Sequence, residues 1–365
     1  MRVAVVTESF LPQVNGVTNS VLRVCEQLSR HGHEAMVVAP GPGPNSYAGF
    51  PVVRTPSIPL PGYAAFRLAR PYPGLAQTLR SFDPDVVHLA SPAVLGAQGA
   101  FAARRLGIPV VAVYQTDLAG FASRYRLGMT EGAVWSWLRK VHGIAERTLA
   151  PSRAAVLQLE QNGVERVRRW ARGVDLRRFH PQHRDPSLRA ALAPSGELVV
   201  GYVGRLAAEK EVGLLAGVQD LPGVRLVVAG DGPQREQLER QLPRATFVGF
   251  KSGPDLARTF ASLDVFVHTG SHETFCQAAQ EALASGVPVV APRAGGLLDL
   301  VDEGRNGLGF IPGSATDLTE RVRELTDDDH LRQRLRLEAR RSVQGRTWDV
   351  IGDELVGHYR EAVGA

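Results

Sequence analysis

Residues 2–40 read RVAVVTESFLPQVNGVTNSVLRVCEQLSRHGHEAMVVAP, and this stretch decides the fold class. Apolar strands are predicted at residues 2–7 and 35–39. Between them, apolar side chains follow the i, i+3, i+4, i+7 spacing of a helix at Val21, Val24, Cys25 and Leu28. A strand, a helix and a strand in this order form a βαβ unit, which predicts a parallel sheet covered by helices.

The same alternation continues along the rest of the chain. Strands are predicted at 86–89 and 110–113, and helices at 93–106, 131–148 and 152–162. A second series has predicted strands at 198–203, 225–229, 246–248, 265–268 and 287–291. Its predicted helices lie at about 212–219, 234–241, 254–261, 276–285 and 315–342. The segment 40–61 holds seven prolines and is predicted to be a long loop.

The predicted fold class is α/β, with two doubly wound, Rossmann-like domains that face each other across a cleft. We place the first domain at 1–175, a linker at about 173–196 and the second domain at 197–347. A final helix at 348–363 can pack back on the first domain. A chain of 365 residues supports two domains because one hydrophobic core rarely serves so many residues. In such folds ligands bind at the carboxyl ends of the strands.

Composition excludes several classes of protein. With 44% hydrophobic and 22% charged residues and no run of eighteen apolar residues, the chain is expected to be soluble and without a membrane span. The apolar run at residues 3–6 is too short for the core of a signal peptide, so we expect a cytoplasmic protein. Cys25 and Cys276 are too few for a disulfide framework or a metal cage.

Charge is unevenly distributed along the chain. Residues 1–190 hold 23 Lys+Arg against 12 Asp+Glu, whereas residues 191–365 hold 19 against 25. The basic half favours an anionic partner such as a membrane surface, although an arginine-rich solvated surface explains it equally well. Of 42 basic residues only three are lysines: Lys140, Lys210 and Lys251. A lysine in this chain therefore indicates a place where a compact ammonium is useful.

The loop after the predicted strand 198–203 carries two cations, Arg205 and Lys210. A guanidinium can hold two oxygens in one plane, and an ammonium adds a compact charge. At the carboxyl end of a strand this pair suits a diphosphate. Two ordinary exposed loop residues are the alternative, and the scarcity of lysine argues against it.

Residues 271–281 read SHETFCQAAQE and are predicted to begin a buried helix. Glu273 would lie at its N-terminus, where the helix dipole favours a carboxylate, although a simple helix cap is the alternative. Amides of the first turn can bind hydroxyl or phosphate oxygens, namely those of Phe275, Cys276 and Gln277. Glu281 would lie about 12 Å further along the helix. Glycosidase carboxyls are only roughly 5–9.5 Å apart, so this spacing suits a longer ligand such as a sugar nucleotide.

Two glycine-containing turns are candidates for phosphate contacts. Asn15-Gly16 lies between the first strand and the first helix, and Ala294-Gly295-Gly296 follows the predicted strand 287–291. Considered alone, Asn15-Gly16 is better explained as a tight turn. No G-x-G-x-x-G follows a predicted strand, which disfavours a dinucleotide-dependent dehydrogenase. Gly230-Asp231-Gly232-Pro233 and Asp83-Pro84-Asp85 are interpreted as turns, with no metal implied.

Five motifs in matching order and spacing carry a family resemblance: Asn15-Gly16, Arg172-Gly173-Val174-Asp175, Arg205 with Lys210, Glu273-x7-Glu281, and Ala294-Gly295-Gly296. With them the chain resembles, over nearly its whole length, the retaining glycosyltransferases of family 4, which have the two-domain GT-B fold. It is most similar to bacterial GDP-mannose-dependent α-mannosyltransferases of the phosphatidylinositol mannosyltransferase type. Sulfoquinovosyl and glucosyl lipid synthases are the nearest alternative.

The resemblance implies a role for each of these residues. Arg205 and Lys210 would neutralise the donor diphosphate, and Glu273 would bind sugar hydroxyls beside the amides of the following turn. Other donor contacts would come from Asn15, Gly16, Phe250, Lys251, Phe275, Cys276, Gln277, Glu281, Gly295 and Gly296. The resemblance also implies front-face transfer with retention, in which the leaving phosphate oxygen takes the acceptor's proton, and it implies neither a metal nor another cofactor.

One position departs from the family pattern. Members often carry a His-Thr motif after the fourth strand of the first domain, and the matching residues here are Tyr114-Gln115-Thr116-Asp117. Gln115 can form hydrogen bonds but cannot carry a proton or a charge, so Asp117 becomes a second candidate at the reaction centre. Cys276 stands where a glycine is common, which narrows the space beside the sugar.

The leading hypothesis is transfer of α-mannose from GDP-mannose to a lipid or lipid-precursor hydroxyl. The protein would act in the cytoplasm at the inner face of an anionic membrane, without a nucleic-acid partner. Acceptor contacts are expected from the loop at 40–62 and from Tyr63, Arg67 and Arg70. One alternative is a UDP-sugar-dependent lipid glycosyltransferase of the glucosyl or sulfoquinovosyl type. Another is a non-catalytic protein that binds sugar nucleotides.

Overall fold

A computed structural model describes residues 1–13, 15–60, 63–117 and 131–364, and at residues 59, 60, 63–66 and 68 it describes the backbone alone. The chain divides into two compact units, Met1–Arg172 with Trp348–Ala365, and Gly173–Thr347. The segment expected to be a linker lies in the second unit and contributes the buried side chains of Val174, Phe179 and Leu192 to its core.

The described residues of the first unit form ten strands. They are β1 (Arg2–Val6), β2 (Glu34–Pro40), β3 (Ser46–Tyr47), β4 (Phe50–Thr55), β5 (Ser57–Leu60), β6 (Tyr63–Ala69), β7 (Val86–Leu89), β8 (Val110–Val113), β9 (Arg147–Ala150) and β10 (Val167–Arg169). Eight of them form one sheet in the order β10-β9-β8-β7-β1-β2-β4-β3, and β5 and β6 form a separate antiparallel pair. Within the large sheet only β3 and β4 pair antiparallel. The strand order reverses between β1 and β7, which is where doubly wound sheets bind ligands.

Helices cover both faces of this sheet. In the described part of the first unit they are Gly16–Arg30, Leu75–Phe82, Val94–Leu106, Glu131–His142, Arg153–Gln161 and Trp348–Val363. Alternate residues of β1 enter opposite hydrophobic clusters: Val3 and Val5 pack in one, Ala4 and Val6 in the other. The sheet is therefore buried on both faces, as a parallel sheet requires. The C-terminal helix is tied to it by a hydrogen bond of 2.7 Å between the Tyr359 hydroxyl and Nδ1 of His88.

The second unit contains six strands in one parallel sheet. They are β11 (Leu198–Val203), β12 (Val224–Ala229), β13 (Thr246–Gly249), β14 (Val265–Val267), β15 (Val289–Pro292) and β16 (Gly307–Phe310). Their order is β13-β12-β11-β14-β15-β16. This order reverses between β11 and β14, so the loops that follow these two strands lie side by side.

The helices of the second unit include several short ones. Its α-helices are Pro186–Leu192, Arg235–Gln241, Gly253–Ala261, Gln277–Ala284, Ala315–Asp327 and Asp329–Arg341. Its 3-10 helices are Pro181–His183, Ala208–Lys210, Val212–Asp220 and Gly295–Asp299. In the part of the chain that the structure describes, no helix combines the length and the apolar character needed to cross a bilayer.

The segment 40–61 is not the long loop that its prolines predict. It holds β3, β4 and β5, and β4 pairs in parallel with β2, with Val52 opposite Val37. Phe50 and Val52 are buried whereas Pro51 is exposed. This alternation is a strand pattern, which the abundant prolines obscured.

Other boundaries also differ from the prediction. The helix predicted at 131–148 ends at His142, and β9 follows from Arg147. The helix predicted at 315–342 is two helices, because Asp328 breaks it and caps the second one by accepting from the amide of Leu331 at 2.8 Å. Strands β10 and β16 were not predicted, and the residues at 212–219 form a 3-10 helix.

The two units differ less in charge than the two sequence halves do. The first unit holds 20 Lys+Arg against 14 Asp+Glu, and the second holds 22 against 23. The C-terminal helix adds four acidic residues to the first unit, and the basic linker segment belongs to the second. The first unit is therefore only moderately basic.

Candidate active site

The predicted diphosphate loop lies directly after β11. Tyr202 donates a hydrogen bond from its hydroxyl to the carbonyl of Arg205 at 3.1 Å. The amide of Leu206 donates to the carbonyl of Asp231 at 2.9 Å. A Cβ atom on Gly230 would lie 1.9 Å from the carbonyl oxygen of Gly204, so the Gly230-Asp231-Gly232-Pro233 turn requires glycine for this close approach. The neighbouring turn thus holds the Arg205 loop in place.

A three-residue charge cluster forms where the loops after β11 and β14 meet. The Lys210 ammonium forms a short contact with Oε1 of Glu273. Nε2 of His268 lies 3.0 Å from the same oxygen. Glu273 is mostly buried, with 18% of its side chain exposed. One carboxylate therefore lies between two nitrogen donors.

Electrostatics determine the charge of this cluster. Burial alone would raise the pKa of the Glu273 carboxyl, but Lys210 and His268 outweigh it and hold this pKa well below its usual range. Burial lowers the pKa of His268, but Cys276 and Glu273 outweigh it and raise this pKa to about 10. The pKa of Lys210 is likewise raised because Glu273 outweighs its burial. At neutral pH an anion therefore lies between two cations.

His268 belongs to this site although the sequence analysis did not select it. It follows β14 directly, at the carboxyl end of a strand beside the switch point. Arg205 and Lys210 were selected by that same positional signal. Spacing from other histidines, which is the test for metal ligands, could not reveal a histidine that binds a glutamate.

Glu273 lies in a loop and not in the first turn of a helix. The helix begins at Gln277, with Cys276 as its N-cap residue. The low pKa of Glu273 thus comes from two side chains, and the separation of 12 Å calculated to Glu281 for a continuous helix does not apply. In the described part of the chain no acceptor is in reach of the amides of Phe275, Cys276 and Gln277. These amides remain suited to binding a ligand.

Gly295 and Gly296 pack against the backbone of the loop that carries Glu273. The amide of Gly296 donates to the Glu273 carbonyl at 2.7 Å, so this amide is already engaged. Gly295 has a φ of +55°, and a Cβ atom there would lie 2.5 Å from the same carbonyl oxygen. The amide of Gly296, which was predicted to bind phosphate, therefore stabilises the loop that carries Glu273.

The remaining predicted donor residues of the second unit lie on separate loops and on the helix. Arg205 forms a short ion pair with Glu209. Phe250 follows β13 directly and is 64% exposed, and Lys251 is partly buried beside it. Glu281 lies on the helix Gln277–Ala284 and is half-buried. The side chain of Gln277 donates to the carbonyl of Gly173 at 3.1 Å, which anchors this helix to the start of the second unit.

In the first unit, Asn15 and Gly16 open the helix Gly16–Arg30. The Asn15 side chain caps it by accepting from the amide of Thr18 at 2.9 Å. Apart from its two chain neighbours and the backbone of its own helix, no described residue has an atom within 4 Å of a Cβ atom placed on Gly16. Packing inside the unit therefore does not require this glycine, which agrees with a ligand approaching it.

Gln115 is buried and already engaged by the protein. Its Nε2 donates to the carbonyl of Ala90 at 2.9 Å, and its Oε1 accepts from the Arg172 guanidinium at 2.5 Å. Arg172 also donates to the carbonyl of Gly16 at 3.3 Å. Asp117 lies 3.4 Å from the Tyr114 hydroxyl. The family histidine is thus replaced by a glutamine that a buried arginine orients.

Glu8 is a second residue that the sequence analysis did not select. It lies just beyond β1 at the switch point and is 5% exposed. Its Oε1 accepts from the amides of Leu95, in a short contact, and Gly96, at 3.1 Å, at the start of a helix. Burial outweighs these hydrogen bonds and raises the pKa of Glu8 to about 7.

The predicted acceptor residues fall into three situations. Arg67 is held by the protein itself, since its Nε donates to the carbonyl of Gly41 and to Oγ of Ser57, both at 2.9 Å. Arg70 is exposed. Tyr63 lies in β6, but its side chain is outside the described residues. Arg67 therefore has a structural reason to be present.

Metal ligands and disulfides were not predicted, and the described residues contain no cluster of three His, Cys, Asp or Glu side chains that could hold a metal ion. Cys25 and Cys276 are both buried as free thiols.

The fold is shared with a protein of known structure. The crystal structure of Anabaena HepE in complex with UDP superposes with a TM-score of 0.82 at 20% sequence identity, covering 99% of this chain and 100% of that one. Two units with predominantly parallel sheets, each with candidate site residues at its switch point, define the GT-B fold of this protein.

Sequence comparisons specify the family. A model described as Glycosyltransferase Family 4 matches residues 14–178, and one described as Glycosyl transferases group 1 matches residues 184–342. The chain belongs to glycosyltransferase family 4.

Two curated relatives match the whole chain, and a third matches most of it. A GDP-mannose-dependent alpha-mannosyltransferase of Mycobacterium tuberculosis is 53% identical, covering 100% of this chain and 97% of its own. A protein of the same name from Mycolicibacterium smegmatis is 50% identical, covering 100% and 98%. A GDP-mannose-dependent alpha-(1-6)-phosphatidylinositol dimannoside mannosyltransferase of M. tuberculosis is 29% identical, covering 82% of each chain.

Proposed function

We propose that this protein transfers α-mannose from GDP-mannose to a hydroxyl of a lipid or lipid precursor, with retention of configuration. The names of the two relatives at 50% and 53% identity support the donor, and the phosphatidylinositol dimannoside mannosyltransferase supports the class of acceptor. The single observation that carries the proposal is the Lys210–Glu273 pair at the switch point beside the Arg205 loop.

In this proposal Arg205 and Lys210 bind the donor diphosphate. The C1–O bond to the phosphate breaks, and both cations stabilise the negative charge that develops on the departing phosphate oxygen. The acceptor oxygen bonds to C1 from the same face, and its proton passes to that phosphate oxygen. This scheme needs neither a metal ion nor a separate protein base.

Glu273 acts as a hydrogen-bond acceptor for the sugar. Its depressed pKa keeps the carboxylate ionised at neutral pH, so it cannot serve as a general acid. The unengaged amides of Phe275, Cys276 and Gln277 lie beside it and can donate to sugar or phosphate oxygens. The exposed ring of Phe250 is suited to contact the guanine base, with Lys251 next to it, and Glu281 is assigned to the ribose.

From the first unit we propose Asn15 and Gly16 as donor-binding residues and Gln115 and Asp117 as catalytic residues. Gly16 permits close approach of the diphosphate, and Asn15 maintains this turn through its helix cap. For the acceptor we retain Arg70 and Tyr63, whereas Arg67 would act through its hold on the Gly41 carbonyl.

Exposed basic residues on two contacting helices of the first unit support contact with an anionic membrane. The helix Val94–Leu106 ends in Arg104 and Arg105, and the neighbouring helix Glu131–His142 carries Arg139 and Lys140, all of them exposed. Trp137, on the same helix, is 37% exposed. Each Lys or Arg near an anionic leaflet contributes about 1 kcal/mol. We therefore place the protein in the cytoplasm, at the inner face of the membrane.

Thermal unfolding in the presence of GDP, UDP and ADP tests the donor. GDP alone should raise the melting temperature, and stabilisation by UDP without stabilisation by GDP would exclude mannose transfer from GDP-mannose. Transfer from GDP-mannose to a lipid extract should then be lost in Glu273→Gln. A wild type that binds the donor and never transfers it would support the non-catalytic alternative.

A further inference from the structure

The mechanism proposed above assigns no role to His268, although its side chain is the most buried of the three in the charge cluster. The residue is 3% exposed, and its amide donates to the carbonyl of Val290 at 2.9 Å, which anchors it to the neighbouring strand. A histidine this deeply buried is normally neutral because burial penalises its charge. His268 differs because it faces the Glu273 carboxylate, which stabilises a positive charge on the imidazole.

The imidazole ring has little freedom to rotate. It stacks on the ring of Tyr202, with centroids 6.2 Å apart and planes 15° from parallel. Tyr202 is fully buried, and its hydroxyl holds the Arg205 carbonyl. The Nε2 atom of His268 is thereby directed at Glu273, and the ring connects the Arg205 loop with the Glu273 loop.

Both neighbours of Glu273 engage the same oxygen. Lys210 and Nε2 of His268 each contact Oε1, so neither of these two donors engages Oε2. A carboxylate has acceptor sites on both oxygens. The arrangement pins one oxygen to the protein and leaves the other to accept from a ligand.

Lys210 alone cannot maintain this arrangement during a reaction that uses it. Its ammonium must also reach the diphosphate, whose negative charge competes with Glu273 for it. A second positive donor, held in place by stacking, would keep Glu273 ionised and oriented while Lys210 is shared.

We infer that His268 is a positioning residue: through Oε1 it fixes the Glu273 carboxylate so that Oε2 meets the sugar, and it remains the partner of Glu273 when the diphosphate engages Lys210. This inference rests on the proposed function. Its consequence is that His268 should affect recognition of the sugar and leave recognition of the nucleotide diphosphate nearly unchanged.

Two substitutions distinguish the hydrogen bond to Glu273 from the volume of the His268 side chain. In His268→Gln the side-chain amide occupies the place of Nε2 and can still reach Glu273, whereas in His268→Asn it occupies the place of Nδ1 and cannot. Dissociation constants for GDP and for GDP-mannose are measured by calorimetry without acceptor. The GDP-mannose affinity should fall roughly 10- to 100-fold in His268→Asn, the range for loss of a charged hydrogen bond. It should fall less in His268→Gln, and the GDP affinity should stay within about twofold in both.

A matched control is His88→Gln. His88 is also buried and hydrogen-bonded, but its partner is Tyr359 in the first unit. The His88→Gln variant should have a lower melting temperature, but its ratio of GDP affinity to GDP-mannose affinity should equal that of the wild type. Unchanged GDP binding serves as the test that each variant is folded. If His268→Asn does not fold, a double-mutant cycle of His268→Gln and Glu273→Gln tests the inference. His268→Gln should not lower the GDP-mannose affinity further once Glu273 is replaced by a neutral side chain.

Equal weakening of GDP and GDP-mannose, or additive effects in that cycle, would overturn the inference. Failure of the donor assignment has a different signature. If the wild type binds UDP and UDP-glucose instead, GDP-mannose is wrong as the donor, and the same comparison between UDP and UDP-glucose still decides the role of His268.

Discussion

The guanidinium of Arg172 donates to Oε1 of Gln115 across 2.5 Å, and both side chains are buried. The same guanidinium donates to the carbonyl of Gly16. Arg172 thus connects the residue at the family's histidine position with the turn assigned to the diphosphate. The two residues are far apart in sequence and meet because they follow β8 and β10, two strands of one sheet.

Replacing Arg172 with lysine should damage both connections. A lysine cannot reproduce a planar fork with several fixed donors, so Gln115 and the Gly16 carbonyl would lose their partner. We expect a loss of about 1–3 kcal/mol in the free energy of unfolding and a lower kcat. Urea denaturation and steady-state kinetics measure these two effects. Arg80→Lys, an exposed arginine in the same unit, is the control and should behave as wild type.

Replacing Glu273 with glutamine should lower stability in a way that depends on pH. The wild-type carboxylate has a pKa depressed below the ordinary 4.5, so its contribution is present above pH 4.5 and is lost as the pH falls through its folded pKa. Near pH 7 the variant leaves Lys210 and His268 without their anion and should lose about 3–5 kcal/mol.

Thermal unfolding of both proteins from neutral to strongly acidic pH measures that difference. It should stay constant down to about pH 4.5 and shrink below it. A difference that is already shrinking between pH 7 and 5 would contradict the depressed pKa of Glu273.

Glu8 should show the opposite dependence. Its folded pKa, about 7, lies above the ordinary 4.5, so the folded state retains a proton that the unfolded state has lost. Stability therefore falls as the pH rises from 4.5 to 7. Glu8→Gln keeps an acceptor for the amides of Leu95 and Gly96 and removes the titration. Between pH 4.5 and 7 the free energy of unfolding of the variant should rise relative to that of the wild type by at most roughly 3 kcal/mol. Melting temperatures of both proteins across this range measure the change. A constant difference across the range would contradict this assignment.

Gly295→Ala should displace the Glu273 loop. Its φ of +55° costs a side chain about 1–2 kcal/mol, and its Cβ atom would also collide with the Glu273 carbonyl. Gly313→Ala is the matched control, since Gly313 has a φ of +77° and nothing described lies within 4 Å of the added atom. Both variants should lose stability, but only Gly295→Ala should also weaken GDP-mannose binding. Equal binding in the two variants would show that the loop tolerates the collision.

Much of the fold followed from local pattern. Periodicity identified most strands, including β1, β11 and β14, because alternating and helical burial are visible in short windows. It missed β4, where prolines obscured an alternating pattern. It also extended the helix predicted at 131–148 too far, because β9 begins at Arg147 and pairs with β8 and β10.

The candidate site also has features that local sequence predicts and features that depend on tertiary structure. Sequence by itself determined that Arg205, Lys210 and Glu273 lie at strand ends, because position after a strand is a local property. Tertiary structure decided that His268 holds Glu273, that Arg172 orients Gln115, and that Gly296 supports the Glu273 loop. These pairings depend on which strands are neighbours, and the low pKa of Glu273 depends on the charges that those neighbours bring together. Strand order arises from packing of the whole sheet, and no short stretch of sequence encodes it.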